Sequence, residues 1–364
     1  MRVVVAPDKF AGTLTAVEAA EAVRTGWTRR APGDDVVLRP MSDGGPGFVD
    51  VLHEALGGEL LAVTVTGPYS APAPATLLRV GDTAYVESAQ AVGLHLTPAE
   101  ERDPERATSR GLGELVRSAV EAGARRVVVG LGGSATNDGG AGALAALGAT
   151  AEGGALDAGP AALPGITAVD LSPARELLHD VELVAASDVD NPLAGLRGAT
   201  RTFGPQKGLA DERLVEVDSW LDDFGGLCDR FVATSKGAGA AGGLGFALLL
   251  LGASREPGVA MVADAVGLLD AVRTADLVIT GEGAFDFSSR SGKVPYGVAQ
   301  VAAQALRPCV ALAGAVLIGA REMRTLGVES AYSLVDLVGE DRAFADPAGA
   351  LADLAERTAR TWSR

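Results

Sequence analysis

The chain alternates short runs of apolar, β-branched residues with longer stretches rich in alanine and leucine. The short runs are typical of buried strands, whereas the longer stretches have the spacing of helices. The predicted strands are 3–6, 36–39, 60–65, 75–80, 83–87, 127–130, 182–186, 277–280 and 309–313. The predicted helices are 16–29, 47–56, 111–122, 141–147, 211–224, 243–251, 259–266, 294–304, 319–326 and 347–363. This alternation predicts an α/β protein with mostly parallel sheets.

Two stretches depart from the regular alternation. Residues 60–87 form three consecutive short strands with a Gly67-Pro68 break, which favours antiparallel pairing and a domain crossing near residue 65. The segment 149–168 is rich in glycine, alanine and proline and predicts an excursion or a hairpin. The length of 364 residues is sufficient for two domains.

Composition narrows the class of protein. With 48% hydrophobic but only 4% aromatic residues, the core must consist mainly of alanine, valine and leucine. The net charge of −16 argues against nonspecific binding to nucleic acid, but it permits an anionic substrate bound by local cations. Two cysteines, Cys228 and Cys309, suggest neither a disulfide framework nor a zinc site, so we expect a reducing cytoplasm. No apolar run is long enough to span a bilayer, and no membrane partner is expected.

Acidic residues follow four of the predicted strands, each close to a glycine or a tight turn. The acids are Asp8, Asp43, Asp188 with Asp190, and Glu282 with Asp286. Open α/β sheets bind ligands at the carboxyl ends of their strands. Carboxylates at those ends suit Mg²⁺ and proton transfer, so the pattern predicts phosphoryl transfer.

The strand 127–130 leads instead into a glycine-rich loop. Its six glycines between residues 130 and 142 let the backbone approach a ligand, and consecutive N–H groups before a helix form an anion site. It is not a Walker A loop, because no Lys-Ser/Thr pair follows. A structural turn is the alternative, but it needs fewer glycines. The residues expected to contact a nucleotide phosphate are Gly132, Gly133, Ser134, Thr136, Asn137, Asp138 and Gly139.

A second glycine segment, with Gly237, Gly239 and Gly242, matches G-x-G-x-x-G. The match is weak, because no convincing strand precedes it and no acid follows at dinucleotide spacing. Close packing of a helix start and contact with a nucleotide both stay open. A Rossmann dehydrogenase is disfavoured for the same reason.

Polar residues after the strand 182–186 supply candidate chemistry. If the extended backbone continues, Asp188 and Asp190 share a face. A carboxylate there could orient or deprotonate a substrate hydroxyl, or hold Mg²⁺. The alternative for Asp190 and Asn191 is a turn before a proline. Lys207, in the turn FGPQKG, could stabilise the charge of a transferring phosphate.

Two carboxylates and a lysine follow the predicted strand 277–280. Glu282 and Asp286 flank Gly283, and Lys293 follows at a predicted helix start. This grouping suits phosphoryl transfer with Mg²⁺, and solvated loop charge is the alternative. Asp8, Lys9 and Asp43 complete the predicted set.

The order and spacing of eight segments resemble the signature blocks of the bacterial glycerate kinase type I family, from residue 1 to about 335. The segments are APDKFAGTLTAVEAAEAV, PMSDGG, GLGGSATNDGGAGALAALG, SDVDNPLAG, FGPQKG, GAGAAGGLG, ITGEGAFD and SGKVPYGVA. The resemblance implies phosphorylation of (R)-glycerate, usually to 2-phosphoglycerate, with ATP and Mg²⁺ as cofactors. It also implies a flavodoxin-like parallel-sheet domain, residues 66–289, inserted into an α/β domain built from residues 1–65 and 290–364.

Site roles follow from the residues together with the resemblance. The expected catalytic residues are Asp188, Lys207 and Lys293. The expected substrate-binding residues are Asp8, Lys9, Asp43, Asp190, Asn191, Glu282 and Asp286. Asp190 and Glu282 are the candidate metal ligands. The expected partners are ATP and a small hydroxy acid; a homodimer is one option, and the oligomeric state stays open.

The chain departs from the family pattern near the expected acid-binding residues. Ala11 stands where the family usually has Lys, Pro46 replaces Glu, and Ala284 replaces Arg; a Gln-Thr pair is also lost, at residues 287–289. Fewer cations should weaken binding of a small anionic acid, because guanidinium groups pair well with carboxylates. Two alternatives therefore stay open: a family member with a changed acceptor, and a weakly catalytic nucleotide-binding or regulatory protein.

Overall fold

The computed structural model describes residues 1–10, 12–286 and 293–363. Its strands are β1 Arg2–Pro7, β2 Asp35–Leu38, β3 Glu59–Thr66, β4 Pro72–Val80, β5 Thr83–Glu87, β6 Arg126–Gly130, β7 Thr150–Glu152, β8 Ala168–Asp170, β9 Glu182–Ala186, β10 Ser254–Glu256, β11 Leu277–Phe285, β12 Cys309–Val316 and β13 Ser330–Ser333. Every predicted strand is present, which confirms the α/β class. The additional strands β7, β8, β10 and β13 have three or four residues, too few to show a period.

All ten predicted helices are present, with boundaries shifted by a few residues. They are α1 Ala16–Arg30, α2 Phe48–Leu56, α3 Ser88–Val92, α4 Arg110–Glu121, α5 Ala141–Leu147, α6 Ser172–Leu177, α7 Ala199–Phe203, α8 Leu214–Cys228, α9 Arg230–Ala233, α10 Leu244–Leu250, α11 Gly258–Ala265, α12 Leu268–Arg273, α13 Val294–Gln304, α14 Ala320–Thr325, α15 Leu334–Val338, α16 Glu340–Ala345 and α17 Pro347–Trp362. Within the described ranges, none of these helices has the length and apolar character needed to cross a membrane. In the same ranges, seven helices of four to six residues were not predicted, namely α3, α6, α7, α9, α12, α15 and α16.

The chain divides into two compact units. The first comprises Met1–Asp43, Asp50–Leu56 and Pro257–Arg364, and the second comprises Gly44–Val49 and Gly57–Glu256. This division differs from the predicted boundaries at 65 and 290. β3 belongs to the second unit because it pairs with β4 along its whole length. β11 belongs to the first unit because it pairs with β1 on one side and β12 on the other.

The first unit contains a parallel sheet with the strand order β13-β12-β11-β1-β2. Val3, Val4 and Val5 of β1 are completely buried, as expected for a central strand covered on both faces. Thr15 and Glu18 form a capping box at the start of α1. Because all five strands run the same way, their carboxyl ends lie at one edge of the sheet.

The second unit contains a mixed sheet with the order β10-β9-β6-β5-β4-β3. β5, β6, β9 and β10 are parallel, whereas β3, β4 and β5 form an antiparallel meander. The expectation of antiparallel pairing in residues 60–87 is therefore confirmed. The description of this unit as a parallel-sheet domain holds only for its other half. β7 and β8 pair as the hairpin expected around 149–168.

Candidate active site

The glycine-rich loop of the second unit joins β6 to α5 and is tightly folded. Gly133, Gly139 and Gly140 have φ values of 64°, 65° and 74°, a region that side-chain-bearing residues avoid. At Gly132 a Cβ atom would lie 2.6 Å from the Cα of Gly45. The loop therefore packs directly on the glycines that follow Asp43, a contact between two motifs that the sequence did not predict.

Asp138 shapes this loop from the inside. Its carboxylate accepts hydrogen bonds from the Ser109 N–H (2.8 Å) and hydroxyl (2.7 Å), and from the N–H groups of Gly140 (3.0 Å) and Gly142 (3.2 Å). Burial raises the pKa of Asp138, although these donors oppose the shift. The side chain is enclosed and holds the start of α5, a role that differs from the predicted contact with phosphate.

Lys207 reaches the same loop from a distant part of the chain. It ends a short 3₁₀ helix, Pro205–Lys207, and only 2% of the residue is exposed. Its ammonium donates to the Ser134 hydroxyl at 3.1 Å and to the Thr136 carbonyl at 2.5 Å. Among the described residues, no carboxylate lies within ion-pair distance of Nζ. Burial lowers the pKa of Lys207 to about 7, against the opposing charge of Asp138.

Several polar groups of the loop have no partner within the described chain. The N–H groups of Gly133 and Ser134 donate no hydrogen bond there. The Oγ1 atom of Thr136 and the Oδ1 atom of Asn137 are buried and also without a partner, while Asn137 Nδ2 donates to Thr200. Unused N–H donors beside a buried ammonium fit a phosphate group or a similar anion.

Glu87 is a buried residue that the sequence reasoning missed. It ends β5, and its Oε2 atom accepts from the N–H groups of Gly47 (3.1 Å) and Val49 (3.4 Å) at the start of α2. The next residue, Ser88, accepts from the Gly132 N–H at 3.2 Å. Glu87 is the last residue of β5 and is followed directly by α3, so the pattern of a strand, an acid and a glycine did not single it out.

The loop after β9 carries Asp188 and is fastened on both sides. The Ser187 N–H donates to the Glu256 carbonyl at 2.9 Å, and the Val189 N–H donates to the Ser187 hydroxyl at 3.2 Å. Asn191 donates from Nδ2 to the Arg197 carbonyl and to the Thr202 hydroxyl. Asp188 itself is half-buried.

Asp190 pairs with two cations of the second unit. Its Oδ1 atom lies 2.7 Å from Arg255 Nη2, and its Oδ2 atom lies 3.3 Å from Lys236 Nζ. Burial acts to raise the pKa of Asp190, but Arg255 and Lys236 outweigh it and hold the pKa below its usual value. Sequence reasoning did not single out either cation.

The G-x-G-x-x-G segment serves close packing. Gly242 lies against the Thr136 carbonyl and Gly239 against the Pro192 carbonyl, with no room for a Cβ atom. The Gly239 N–H also donates to the Asn191 carbonyl at 2.9 Å. Of the two alternatives, packing therefore accounts for these glycines, which tie together the loops that carry Thr136 and Asp188.

In the first unit, acids and lysines meet at the carboxyl edge of the sheet. Lys9 Nζ lies 3.4 Å from Asp8 Oδ1 and 3.5 Å from Asp43 Oδ1. Burial raises the pKa of Asp8 to about 7; Asp43 and Glu282 add to the shift, whereas Lys9 opposes it. Burial opposes the charge of Lys9, but Asp43 and Asp8 outweigh it and raise the pKa of the lysine.

The predicted group on β11 is also assembled. Glu282 is buried, and Lys293 Nζ lies 3.8 Å from Glu282 Oε2 and 4.0 Å from Asp286 Oδ1. Two lysines thus sit among the carboxylates of this unit. They are cations that an acidic substrate can pair with.

The described positions at which the chain departs from the family pattern lie in both units. Ala284 is exposed on β11 of the first unit. Pro46 packs on the glycine-rich loop, since a Cβ atom at Gly133 would lie 2.9 Å from Pro46 Cγ. Pro46 belongs to the second unit, and its effect on acid binding stays a prediction. Ala11 and residues 287–289 lie outside the described residues.

The predicted metal ligands do not form a magnesium site built by the protein. Within residues 1–10, 12–286 and 293–363, no group of three or more ligating side chains is arranged to hold a metal ion. Asp190 pairs with Arg255 and Lys236, and Glu282 lies beside Lys293. Mg²⁺ in phosphoryl-transfer enzymes often takes most of its ligands from phosphates and water. A magnesium ion bound through nucleotide phosphates would need few ligands from the protein.

Sheet edges lined with acids and lysines, and a glycine-rich loop that fits an anion, define an α/β enzyme that handles an anionic ligand. The sequence model of the glycerate kinase family matches residues 3–363. Glycerate kinase of Bacillus subtilis is 40% identical, over 99% of this chain and 96% of that protein. Glycerate 2-kinase of Escherichia coli is 40% identical, over 94% of this chain and 93% of that protein.

A solved structure extends the similarity to the fold. The crystal structure of putative glycerate kinase 2 from Salmonella typhimurium LT2 has a TM-score of 0.80 at 36% identity, covering 99% of this chain and 98% of that one. The chain belongs to the glycerate kinase family. It is accordingly a kinase, a phosphotransferase with an alcohol group as acceptor.

Proposed function

We propose that this protein transfers the γ-phosphoryl group of ATP to a hydroxyl of (R)-glycerate and forms 2-phosphoglycerate. The observation that carries the proposal is the buried Lys207 ammonium, which is held on Ser134 and Thr136 of the glycine-rich loop. The name of the E. coli relative, glycerate 2-kinase, supports the 2-position as the site of transfer.

The proposed binding of phosphate at the glycine-rich loop rests on the charge of Lys207, which has no carboxylate within ion-pair distance among the described residues. A buried ammonium without a counterion is costly, so Lys207 favours the arrival of an anion. The N–H groups of Gly133 and Ser134 supply further donors beside it. Fixed donors of this kind stabilise the negative charge of a transferring phosphoryl group, because they need not reorganise during the reaction. Bound with the nucleotide, Mg²⁺ would neutralise part of the same charge.

The acceptor role is assigned to the charged group of the first unit. Lys9 and Lys293 are the cations that would pair with the substrate carboxylate. Asp8, Asp43, Glu282 and Asp286 hold these lysines and would accept hydrogen bonds from substrate hydroxyls.

Asp188 is the proposed base. It would orient the acceptor hydroxyl and take its proton as the hydroxyl oxygen bonds to the γ-phosphorus. The bond from that phosphorus to the bridging oxygen breaks, and ADP leaves with the electron pair. The proton on Asp188 then passes to solvent.

A coupled assay of ADP release, run over a panel of small hydroxy acids and sugar acids, tests the proposal. We expect turnover with ATP and (R)-glycerate, and ³¹P NMR should identify 2-phosphoglycerate as the product. ADP release with another hydroxy acid but not with glycerate would replace the substrate while keeping the reaction. ATP binding without turnover on any acid would refute the enzymatic proposal.

The second candidate is a kinase with a changed acceptor, and Ala284 is the observation that favours it. Family members usually have Arg at this position, whereas here the exposed surface of β11 offers only a methyl group. A substrate with less negative charge, or with a larger apolar group, would suit this surface better than glycerate does.

The variant Ala284→Arg separates these candidates. If glycerate is the substrate, the added guanidinium should lower KM for glycerate roughly tenfold, because a charge-assisted hydrogen bond is worth about 1.5–3 kcal/mol before exposure is discounted. Ala315→Arg is the matched control, since Ala315 is the partner of Ala284 on β12. Steady-state kinetics would show the effect. An unchanged KM, or an equal change in the control, would count against the predicted acid-binding role of position 284.

A further inference from the structure

We propose that Arg255 is a positioning residue that acts through Asp190 to hold the Asp188 loop, defined as residues 187–191, in the geometry needed for transfer. The inference rests on the proposed role of Asp188 as the base. It assigns Asp190 to the support of that base rather than to metal or substrate binding.

Arg255 is well placed to act on this loop. It lies in β10, where it is the register partner of Ala185 on β9, one residue before that strand ends. Its Nη2 atom donates to Asp190 Oδ1 at 2.7 Å. The Arg255 side chain is 23% exposed, whereas that of Lys236, the other cation on Asp190, is 78% exposed. Arg255 is therefore the more firmly held partner.

The absence of a side chain at Gly237 leaves room for the Arg255 side chain. Gly237 has a φ value of 87°, and a Cβ atom there would lie 2.6 Å from Arg255 Cδ and 3.4 Å from the Val189 carbonyl oxygen. A side chain at position 237 would displace the arginine from Asp190. The glycine therefore has a second task besides packing, which is to let Arg255 pass beside the loop.

Apart from the two cations on Asp190, the contacts of the loop with the described residues hold its backbone. They do not involve the Asp190 carboxylate. Ser187 bonds to Glu256, and Asn191 accepts from Gly239. The Asp190 side chain is 60% exposed, so its ion pair contributes little to overall stability. Its effect should instead be geometric, because a reacting group displaced by about 1 Å can cost about 10²-fold in rate.

Four variants test the pair in the full-length protein: Arg255→Gln, Asp190→Asn, the two combined, and Arg255→Lys. We expect either single change to lower kcat by roughly 10- to 100-fold, with KM for ATP nearly unchanged. The double variant should be no worse than either single variant, because both remove the same interaction. Arg255→Lys should recover part of the rate. Arg230→Gln, which breaks the Arg230–Asp222 pair of the same unit, is the control and should keep normal kcat.

A second measurement does not depend on activity. Hydrogen exchange followed by mass spectrometry should show faster exchange of residues 187–191 in Arg255→Gln than in the wild type, with no change in the control.

If the wild type lacks kinase activity, the proposed function fails and the exchange result still decides whether Arg255 holds the loop. Unchanged exchange in Arg255→Gln would overturn the inference, as would additive effects in the double variant. A shift in the Mg²⁺ concentration for half-maximal rate in Asp190→Asn alone would also overturn it, because that result identifies a metal ligand.

Discussion

The variant Lys207→Met should lose most turnover, with kcat reduced by about 10²–10³-fold, the usual loss when one fixed donor to a transition-state charge is removed. Methionine keeps an unbranched side chain of similar length but has no ammonium to place beside Ser134 and Thr136. Binding of ATP, measured by calorimetry, should weaken as well. Arg230→Met is the control, because Arg230 is an exposed cation of the same unit that pairs with Asp222.

The same variant should change how stability depends on pH. In the folded protein, burial lowers the pKa of Lys207 from 10.5 to about 7. Between these two values the unfolded chain holds a proton that the folded protein lacks, so this lysine makes wild-type stability rise with pH. Its destabilising effect is complete below pH 7 and fades towards pH 10.5. Lys207→Met has no such dependence.

Thermal melting of the ligand-free proteins across this pH range checks the prediction. We subtract the Tm of the wild type from the Tm of Lys207→Met. This difference should have its highest value at or below pH 7 and should decrease steadily as the pH rises. The hydrogen bonds lost at Ser134 and Thr136 lower the Tm of the variant by a similar amount at each pH, so they do not produce this trend. A flat difference, or normal turnover in the variant, would show that Lys207 is not the buried cation of the phosphate site.

Asp188→Asn should lower kcat by about 10²–10⁴-fold, the usual contribution of a general base. The amide has the same shape as the carboxylate but cannot take the proton of the acceptor hydroxyl. The affinity for ATP should stay close to that of the wild type, because phosphate binding is assigned to the glycine-rich loop. Single-turnover kinetics and calorimetry measure the two quantities separately.

Asp180→Asn is a suitable control, since Asp180 is an exposed carboxylate just before β9 and should tolerate the change. Near-normal turnover of Asp188→Asn would remove this residue from the mechanism. A large loss of ATP affinity would instead assign Asp188 to the nucleotide.

The predicted elements succeeded where the signal was local. β1, β6, β9 and β11 were identified from apolar runs. Short elements such as β10 and β13 were missed because three or four residues cannot show a period. The unit boundaries shifted because strand pairing, which is nonlocal, decides to which sheet β3 and β11 belong.

In the candidate site, too, local features were predicted from the sequence, whereas nonlocal contacts were not. The acids at strand ends and the glycine-rich loop were visible in the sequence, since parallel strands must bring their carboxyl ends to one edge. The partners of those groups were not visible. Asp138 was expected to face phosphate, yet it turns inward to Ser109. Glu87 was overlooked because it lies within β5 and is followed by a helix and not by a glycine.

By itself, then, the sequence determined the α/β class, the family and the residue types at each strand end, because these depend on periodicity and on motifs within a few residues. Only the tertiary structure decided how those residues are used. Lys207 meets Ser134 across 73 positions of the chain, and Arg255 meets Asp190 across 65. Pro46 packs on Gly133, which lies far from it along the chain. Burial and ion pairing set the charge of each group, and both arise from packing between distant segments that no local pattern encodes.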